Sequence, residues 1–488
     1  MTLVAIPLSA ATPDDLLALS AKAATTGADV VEWRLDTCQK KGADLSAIIA
    51  AIPRSPLPVI ATCRHPDETG DWVGSETARL ALLAAADAAG AAYIDCELAQ
   101  AEGLATAPKA RLILSSHDFQ GPGTDLPGKI QAMRAVGHRL GIPVIAKVAI
   151  TARDAADLTI IRNLLVHRDG DVIALAMGEH GLPSRLLAGV WGGFLTFARL
   201  NGDGGSAPGQ PTVGDLLGRY RLKSQTANTR ILGVMGSPIS HSLSPHIHNA
   251  GLAQDGVDAV YVPFRVENAV DFWNACGAWI HGLSITIPHK EALLPLATVQ
   301  EAPAKAAGVC NTLWWDAGVL SATNTDVEGV AHCLGNIRGK TVLLLGAGGV
   351  ARAVARIVSA GGGTLLVCNR TLDKAEALAR DFQGRAITLE DAQRTPYDIL
   401  VNGTSVGMKA PADTPWPFPH RPDSLVFDTV YVPLETRFLK EAAASGAKTV
   451  DGLQLFIAQA AGQYRRFTGR GTAPEDLMRQ VARHHLQG

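Results

Sequence analysis

Lys147 stands between VIA and VAI, a place where an aliphatic side chain would pack without penalty. Apolar surroundings lower an amine from its usual pKa of about 10.4 and leave more neutral nitrogen to attack a carbonyl. His117 closes another apolar run, RLILSSH. With an unperturbed pKa of about 6.5 it can act in turn as base and acid. More charges fall late in neighbouring runs: Glu32, Arg34 and Asp36 in DVVEWRLD, Arg64 at the end of VIATCR, Asp95 and Glu97 in AYIDCEL. Read as strands, period two puts Glu32, Arg34 and Asp36 on one side, and likewise Asp95 with Glu97. Buried charges are costly unless paired, so the pattern predicts one mouth lined by both signs.

A second set of residues suggests nucleotide chemistry. TVLLL leads into GAGGVA and an alanine-rich stretch, and TLLVCNR begins about twenty residues further on. In this βαβ layout Gly346, Gly348 and Gly349 let backbone amides and a helix N-terminus approach a pyrophosphate. The strand TLLVC ends in Asn369, Arg370 and Thr371 instead of the acidic residue that grips free ribose hydroxyls. Donors with one fixed positive charge suit a 2′-phosphate, so NADP is the expected cofactor. Lys290 in IPHK and Asp326 in NTD could stabilise the negative oxygen formed when hydride adds to a ketone. Taken singly, the first also fits a solvated loop lysine and the second an Asx turn.

Eight elements are needed to position the first set. LVAIP, DVVEWRLD, VIATCR, AYIDCEL, RLILSSH, VIAKVAI, DVIALAM and FLTFARL alternate with alanine- and leucine-rich stretches, as in an eight-stranded α/β barrel. With 488 residues, 47% hydrophobic and 18% charged, the chain is long enough for several cores. Its 44 basic and 46 acidic residues are spread along its length. No nucleic-acid partner and no membrane surface are therefore expected. The N-terminus lacks the pattern of an export signal, and seven cysteines occur without ligand-like spacing, which predicts a cytoplasmic setting and no metal site. His246 and His248 in SHSLSPHIHN read as packing and polar contacts at a helix start. Oligomeric state is left open.

In its first half the chain resembles type I 3-dehydroquinate dehydratases, through VEWRLD, TCRHPDETG, YIDCEL, SSHDF, AMGEHGLPSR and SAPGQ. The resemblance implies that Lys147 forms an imine with the substrate ketone, with His117 as proton shuttle and Glu68 accompanying it. It also implies substrate contacts by Glu32, Arg34, Arg64, Arg185, Ser206 and Gln210. One departure is that Glu68 is followed by Thr69 and Gly70, where the family usually has two glycines.

The second half is similar to shikimate dehydrogenases through GVMGSPISHSLSPHIHN, LSITIPHK, GVCNTLWW, ATNTDVEG, NGTSVGM, FDTVYVPLET and DGLQLFIAQAAGQY. That likeness implies catalysis by Lys290 and Asp326, and substrate binding by Ser242, Ser244, Thr286, Asn311, Tyr431 and Gln459. NADP would be held by Gly346, Ala347, Gly348, Gly349, Val350, Asn369, Arg370, Thr371, Thr404, Val406, Met408, Val430 and Gly452. Ser284 stands where many relatives have asparagine, which leaves quinate open as a side substrate. The expected architecture is α/β: a (β/α)8 TIM barrel over residues 1–225, then a two-domain shikimate dehydrogenase unit. The latter has a substrate-binding domain at 226–335, a Rossmann-like NADP-binding domain at 336–450, and closing helices at 451–488. The implied reactions are dehydration of 3-dehydroquinate and NADPH-dependent reduction of 3-dehydroshikimate.

Overall fold

The computed structural model describes residues 1–200 and 209–487. By contacts the chain divides into two compact units, one of residues 1–240 and 258–280, the other of 241–257 and 281–488.

All eight barrel elements form. They are β1 (Leu3–Leu8), β2 (Val30–Arg34), β3 (Val59–Thr62), β4 (Tyr93–Glu97), β5 (Arg111–Asp118), β6 (Val144–Thr151), β7 (Val172–Met177) and β8 (Leu195–Phe197). They follow one another in parallel order, with β1 lying between β2 and β8. Between β7 and β8 the ring is nearly closed by one bond, Phe194 N–H donating to the Val172 carbonyl at 2.9 Å. Inward residues such as Ala5, Val30, Ile60, Ile113, Ile145 and Ile173 fill the interior, so the barrel is a packed core whose chemistry sits at its rim. β2 ends at Arg34, and Asp36 lies in the short helix Leu35–Lys40, so the strand alternation expected through Asp36 stops two residues early. The same unit holds a parallel pair, β9 (Arg230–Gly236) with β10 (Ala259–Arg265).

In the second unit β11 (Gly282–Ile285), β13 (Thr312–Asp316) and β14 (Val319–Thr323) are antiparallel, and β12 (Val299–Gln300) runs parallel to β14. A separate parallel sheet follows, in the order β17-β16-β15-β18-β19-β20. Its strands are β15 (Thr341–Leu345), β16 (Thr364–Cys368), β17 (Arg385–Ala386), β18 (Ile399–Asn402), β19 (Leu425–Asp428) and β20 (Lys448–Val450). The order reverses beside β15, the switch point at which open α/β sheets bind ligands. The helix Gly349–Ala360 begins there, and its Ala351, Val354, Ala355 and Val358 are buried against the sheet. The helix Gly452–Thr468 packs on the helix Thr325–Leu334, and the helix Glu475–Gln487 on the helix Ser244–Gln254. Among the described residues no helix is long and apolar enough to cross a membrane.

Candidate active sites

At the barrel rim Glu32, Arg34, Arg64, Glu68, His117, Lys147, Arg185 and Gln210 line one cavity of about 120 Å³. These are all the predicted barrel-site residues except Ser206, which lies outside the described residues. Strand register explains part of the convergence: Ser115 on β5 is opposite both Glu97 on β4 and Lys147 on β6.

The environment of Lys147 differs from its aliphatic sequence neighbours. Its Nζ lies 2.7 Å from Asp95 Oδ2 and 3.8 Å from Glu32 Oε1, and 4.7 Å from the centre of the Phe197 ring. Flanking residues along a strand point the other way, so they report nothing of what an alternate side chain meets. Arg64 ties the acids together: it is 3.0 Å from Asp95 and 2.8 Å from Glu97, and donates to Ser115 Oγ at 2.8 Å. Burial alone would raise the Asp95 carboxyl, but Arg64 and Lys147 outweigh it and hold it far below the carboxylate range. Arg34 grips Asp36 with two bonds, at 3.0 and 2.8 Å.

His117 Nδ1 is 2.7 Å from Glu68 Oε2. Burial pushes the Glu68 carboxyl up to about 7, against the pull of Arg64. Burial also holds His117 well below 6.5, and Arg64 and Lys147 push the same way. The pair therefore keeps a neutral imidazole at neutral pH, and one proton exchanges near pH 7. When Glu68 is ionised it accepts Nδ1–H, which leaves the Nε2 lone pair free to take a proton. When Glu68 is protonated it donates to Nδ1, and Nε2 carries a hydrogen.

Glu68 is followed by Thr69 at φ +61°, left-handed backbone that favours glycine. The departure noted in the sequence thus falls on a strained position. At Gly70 a Cβ would lie 1.9 Å from the Arg64 carbonyl oxygen, so the second glycine has no substitute.

Arg185 differs from the other cations. It is 2% exposed, its Nη1 has no hydrogen-bond partner among the described residues, and burial pushes its pKa down to about 10. A buried guanidinium with no counter-ion among the described residues, aimed at a cavity, suits an anion such as a carboxylate.

In the second unit Lys290 Nζ lies 2.6 Å from Asp326 Oδ2, while Asn311 Nδ2 donates to Asp326 Oδ1 at 3.0 Å. Asn324 caps the helix Thr325–Leu334 by accepting from Asp326 N, which fixes the carboxylate at a helix start. Lys290, Asp326, Ala347, Gly348 and Gly349 line one cavity of about 460 Å³. A neighbouring cavity of about 550 Å³ gathers Gly346, Asn369, Arg370, Thr404 and Val406. Gly346 sits at φ +108° and a Cβ there would lie 2.8 Å from Thr404 Cγ2, whereas at Gly348 and Gly349 a Cβ would meet nothing within 4 Å. That open cradle at a helix N-terminus, with the guanidinium of Arg370 beside the adjoining cavity, fits a phosphorylated dinucleotide.

The other predicted residues are not among those lining these two cavities. Ser242 Oγ accepts from Ser244 N at 3.3 Å, and Tyr431 stacks on Phe456 with ring centres 5.3 Å apart. Gln459 donates to the Phe456 carbonyl, and Thr286 is half-buried just beyond β11. Val350 packs on the sheet core, Thr371 starts the helix Leu372–Asp381, and Met408 is exposed. Val430 is buried, and at Gly452 a Cβ would fall 2.5 Å from its carbonyl oxygen, so the helix can start there only with glycine. Ser284 donates to Gln463 Oε1 at 2.9 Å. His248 is packed beside Tyr464 and Phe467, where burial pushes its pKa down to about 3.

Sequence reasoning did not assign Asp95, Glu97 and Ser115 as holders of Lys147 and Arg64, although the late-strand charges marked the first two. It also missed Arg352 and Arg356, which line the Lys290 cavity. Their spacing of four, beginning four residues after Gly348, was the available signal.

Three family models match the chain: type I 3-dehydroquinase over residues 4–227, shikimate dehydrogenase substrate binding domain over 234–313, and shikimate/quinate 5-dehydrogenase over 328–409. A chloroplastic bifunctional 3-dehydroquinate dehydratase/shikimate dehydrogenase of Arabidopsis thaliana is 35% identical over 516 aligned residues, covering 98% of this chain and 84% of the relative. A shikimate dehydrogenase (NADP(+)) of Oleidesulfovibrio alaskensis is 38% identical over 253 residues, 49% of this chain and 90% of the relative. The crystal structure of Thermus thermophilus shikimate 5-dehydrogenase in complex with NADP(H) and shikimate is 35% identical, with a TM-score of 0.47, and the match covers 52% of this chain and 99% of that one.

Proposed function

The chain belongs to the bifunctional 3-dehydroquinate dehydratase/shikimate dehydrogenase family, and we propose that it carries out both reactions in sequence, 3-dehydroquinate to 3-dehydroshikimate and then to shikimate. The observation that carries this reading is that each half places a lysine and its partner groups in a cavity built for a different step.

In the barrel, Lys147 attacks the ketone of 3-dehydroquinate, and loss of water gives a protonated imine. His117 Nε2 removes a proton from the adjacent carbon, and the C–H electrons move toward the imine nitrogen to form an enamine. The enamine collapses as the β-hydroxyl departs with the proton returned by His117, and water frees Lys147 by hydrolysis. Arg185 holds the substrate carboxylate, and Arg64 holds Asp95 in place beside the amine while also pairing with Glu97.

In the second unit Gly346, Gly348 and Gly349 would hold the cofactor's pyrophosphate, and Asn369 and Arg370 its 2′-phosphate. NADPH held there would supply hydride to the ketone of 3-dehydroshikimate. Lys290 stabilises the oxygen that gains charge and gives it a proton, while Asp326 orients Lys290 and accepts from substrate hydroxyls. Asn311 holds the second oxygen of Asp326 in position. The proposed division is a dehydratase barrel at 1–225, a substrate-binding domain at 226–335, an NADP-binding domain at 336–450 and closing helices at 451–488, with residues 258–280 packed in the barrel's compact unit; the seven buried, unpaired cysteines support a reducing, cytoplasmic setting.

Borohydride added during turnover of 3-dehydroquinate tests the imine. A substrate-derived mass on the Lys147 peptide is expected, and a fully active enzyme that is never labelled would contradict the reading.

Two further outcomes follow from the geometry. Dehydratase kcat/KM should rise as pH is raised through about 7, where Glu68 loses its proton and frees His117 Nε2. Glu68→Gln should remove that limb, and a limb that persists in this variant would assign it to another group. Arg370→Ala should raise KM for NADPH about tenfold and leave that for NADH within about twofold, because only the former carries the 2′-phosphate. Equal effects on both would make Arg370 a bystander.

A further inference from the structure

Residues 258–280 fall within the stretch matched by the dehydrogenase substrate-binding model, yet they pack into the same compact unit as the barrel. Thr159 Oγ1 donates to the Ala275 carbonyl at 2.6 Å, Asp154 accepts from Glu267 N at 2.8 Å, and Trp279 meets Trp191 edge to face at 5.5 Å. These contacts anchor the segment on the barrel's outer helices, close to the helix Gly178–Leu186 that carries Arg185.

Two further bonds join that helix directly. Arg265, at the end of β10, donates from Nη1 to Glu179 Oε2 at 2.7 Å, and its carbonyl accepts from His180 Nδ1 at 3.0 Å. Glu179 Oε1 is buried with no hydrogen-bond partner among the described residues, while Oε2 accepts from Arg265 in a pair whose side chains are 36% and 33% exposed and in which Arg265 also meets Glu267 at 3.1 Å. The inner side of the helix is fixed by close approach to β7: a Cβ at Gly181 would lie 2.5 Å from the Ala176 carbonyl oxygen, and Ser184 Oγ accepts from Ala176 N. Among the described residues Arg185 Nη1 has no hydrogen-bond partner to hold it, so its placement follows that of the helix.

We infer that Arg265, from the dehydrogenase half of the sequence, is a positioning residue for dehydration: by clamping Glu179 and His180 it sets the helix from which Arg185 reaches the substrate carboxylate. This rests on the dehydratase reading above. Outer supports of this kind act by holding a contacting residue in its productive geometry, and their loss weakens substrate binding more than the chemical step.

The test is steady-state dehydration of 3-dehydroquinate by the full chain as parent, Arg265→Ala, Arg265→Lys, Glu179→Ala and the double alanine variant, with reduction of 3-dehydroshikimate measured alongside. Arg265→Ala should raise KM for 3-dehydroquinate about five- to tenfold with kcat changed less than about twofold. Arg265→Lys should recover most of the loss, and the double variant should be no worse than the poorer single one. An unchanged KM, effects that add in the double variant, or equal kcat losses in both activities would overturn the inference. If Arg265→Ala fails to fold, Glu179→Ala and Arg265→Lys carry the comparison. Absence of dehydration by the parent chain would instead defeat the functional reading, so the two failures are distinct.

Discussion

Lys147→Ala is expected to lower dehydration on the order of 10⁵-fold while leaving the reduction of 3-dehydroshikimate at the parent rate. The loss corresponds to about 7 kcal/mol of barrier, as expected when the group that forms the covalent intermediate is removed and no neighbour can replace it. The fold should survive, because Asp95 keeps Arg64 at 3.0 Å and the Ser115 hydroxyl at 2.7 Å. Glu32 likewise keeps its bond from Thr62. Rates, with circular dichroism to confirm folding, check this. A folded variant retaining more than about one per cent of dehydration would place the electron sink elsewhere.

The mirror experiment acts on the second unit. Lys290→Met removes the cation facing Asp326 and should lower kcat for shikimate formation about 10²- to 10⁴-fold, the range for losing a positioned acid or oxyanion donor. KM for NADPH should change less than kcat, since Lys290 shares a cavity with Gly348 and Gly349 but the glycine turn and Arg370 are left intact. Asp326→Asn should have a smaller effect on kcat and raise KM for 3-dehydroshikimate, because the amide still contacts substrate but no longer holds an ammonium as an ion pair. Dehydration should be unaffected in both variants. A Lys290→Met enzyme with unchanged kcat would leave the lysine as a loop residue with a fortuitous ion pair.

How much of this was legible in the sequence depends on the range of the interaction. Strand count, the Lys147 and His117 placements and the glycine turn are local patterns, and all appear in the structure at the expected elements. Register-dependent contacts were not readable. Arg64 reaches Ser115 across 51 positions, and Lys147 reaches Asp95 across 52, so nothing in either neighbourhood announces the partner. The strand pattern suggested that Lys147 lies among aliphatics, whereas the mouth surrounds it with acids. Arg185 was assigned by likeness, and the lack of a counter-ion beside it among the described residues is visible only once the helix is folded onto β7. The sequence reading put a domain boundary at residues 225–226, but packing of residues 258–280 depends on side chains such as Trp279 and Thr159 that look unremarkable in the chain.

The most direct test of the two-site account is a single reaction of the purified protein with 3-dehydroquinate and NADPH, following 3-dehydroshikimate, shikimate and nicotinamide oxidation together. The account predicts that 3-dehydroshikimate appears first and shikimate accumulates in step with NADPH oxidation. It also predicts that Lys147→Ala blocks both until 3-dehydroshikimate is added. No dehydration by the parent, with added 3-dehydroshikimate still reduced, would contradict it and leave a dehydrogenase joined to an inert barrel.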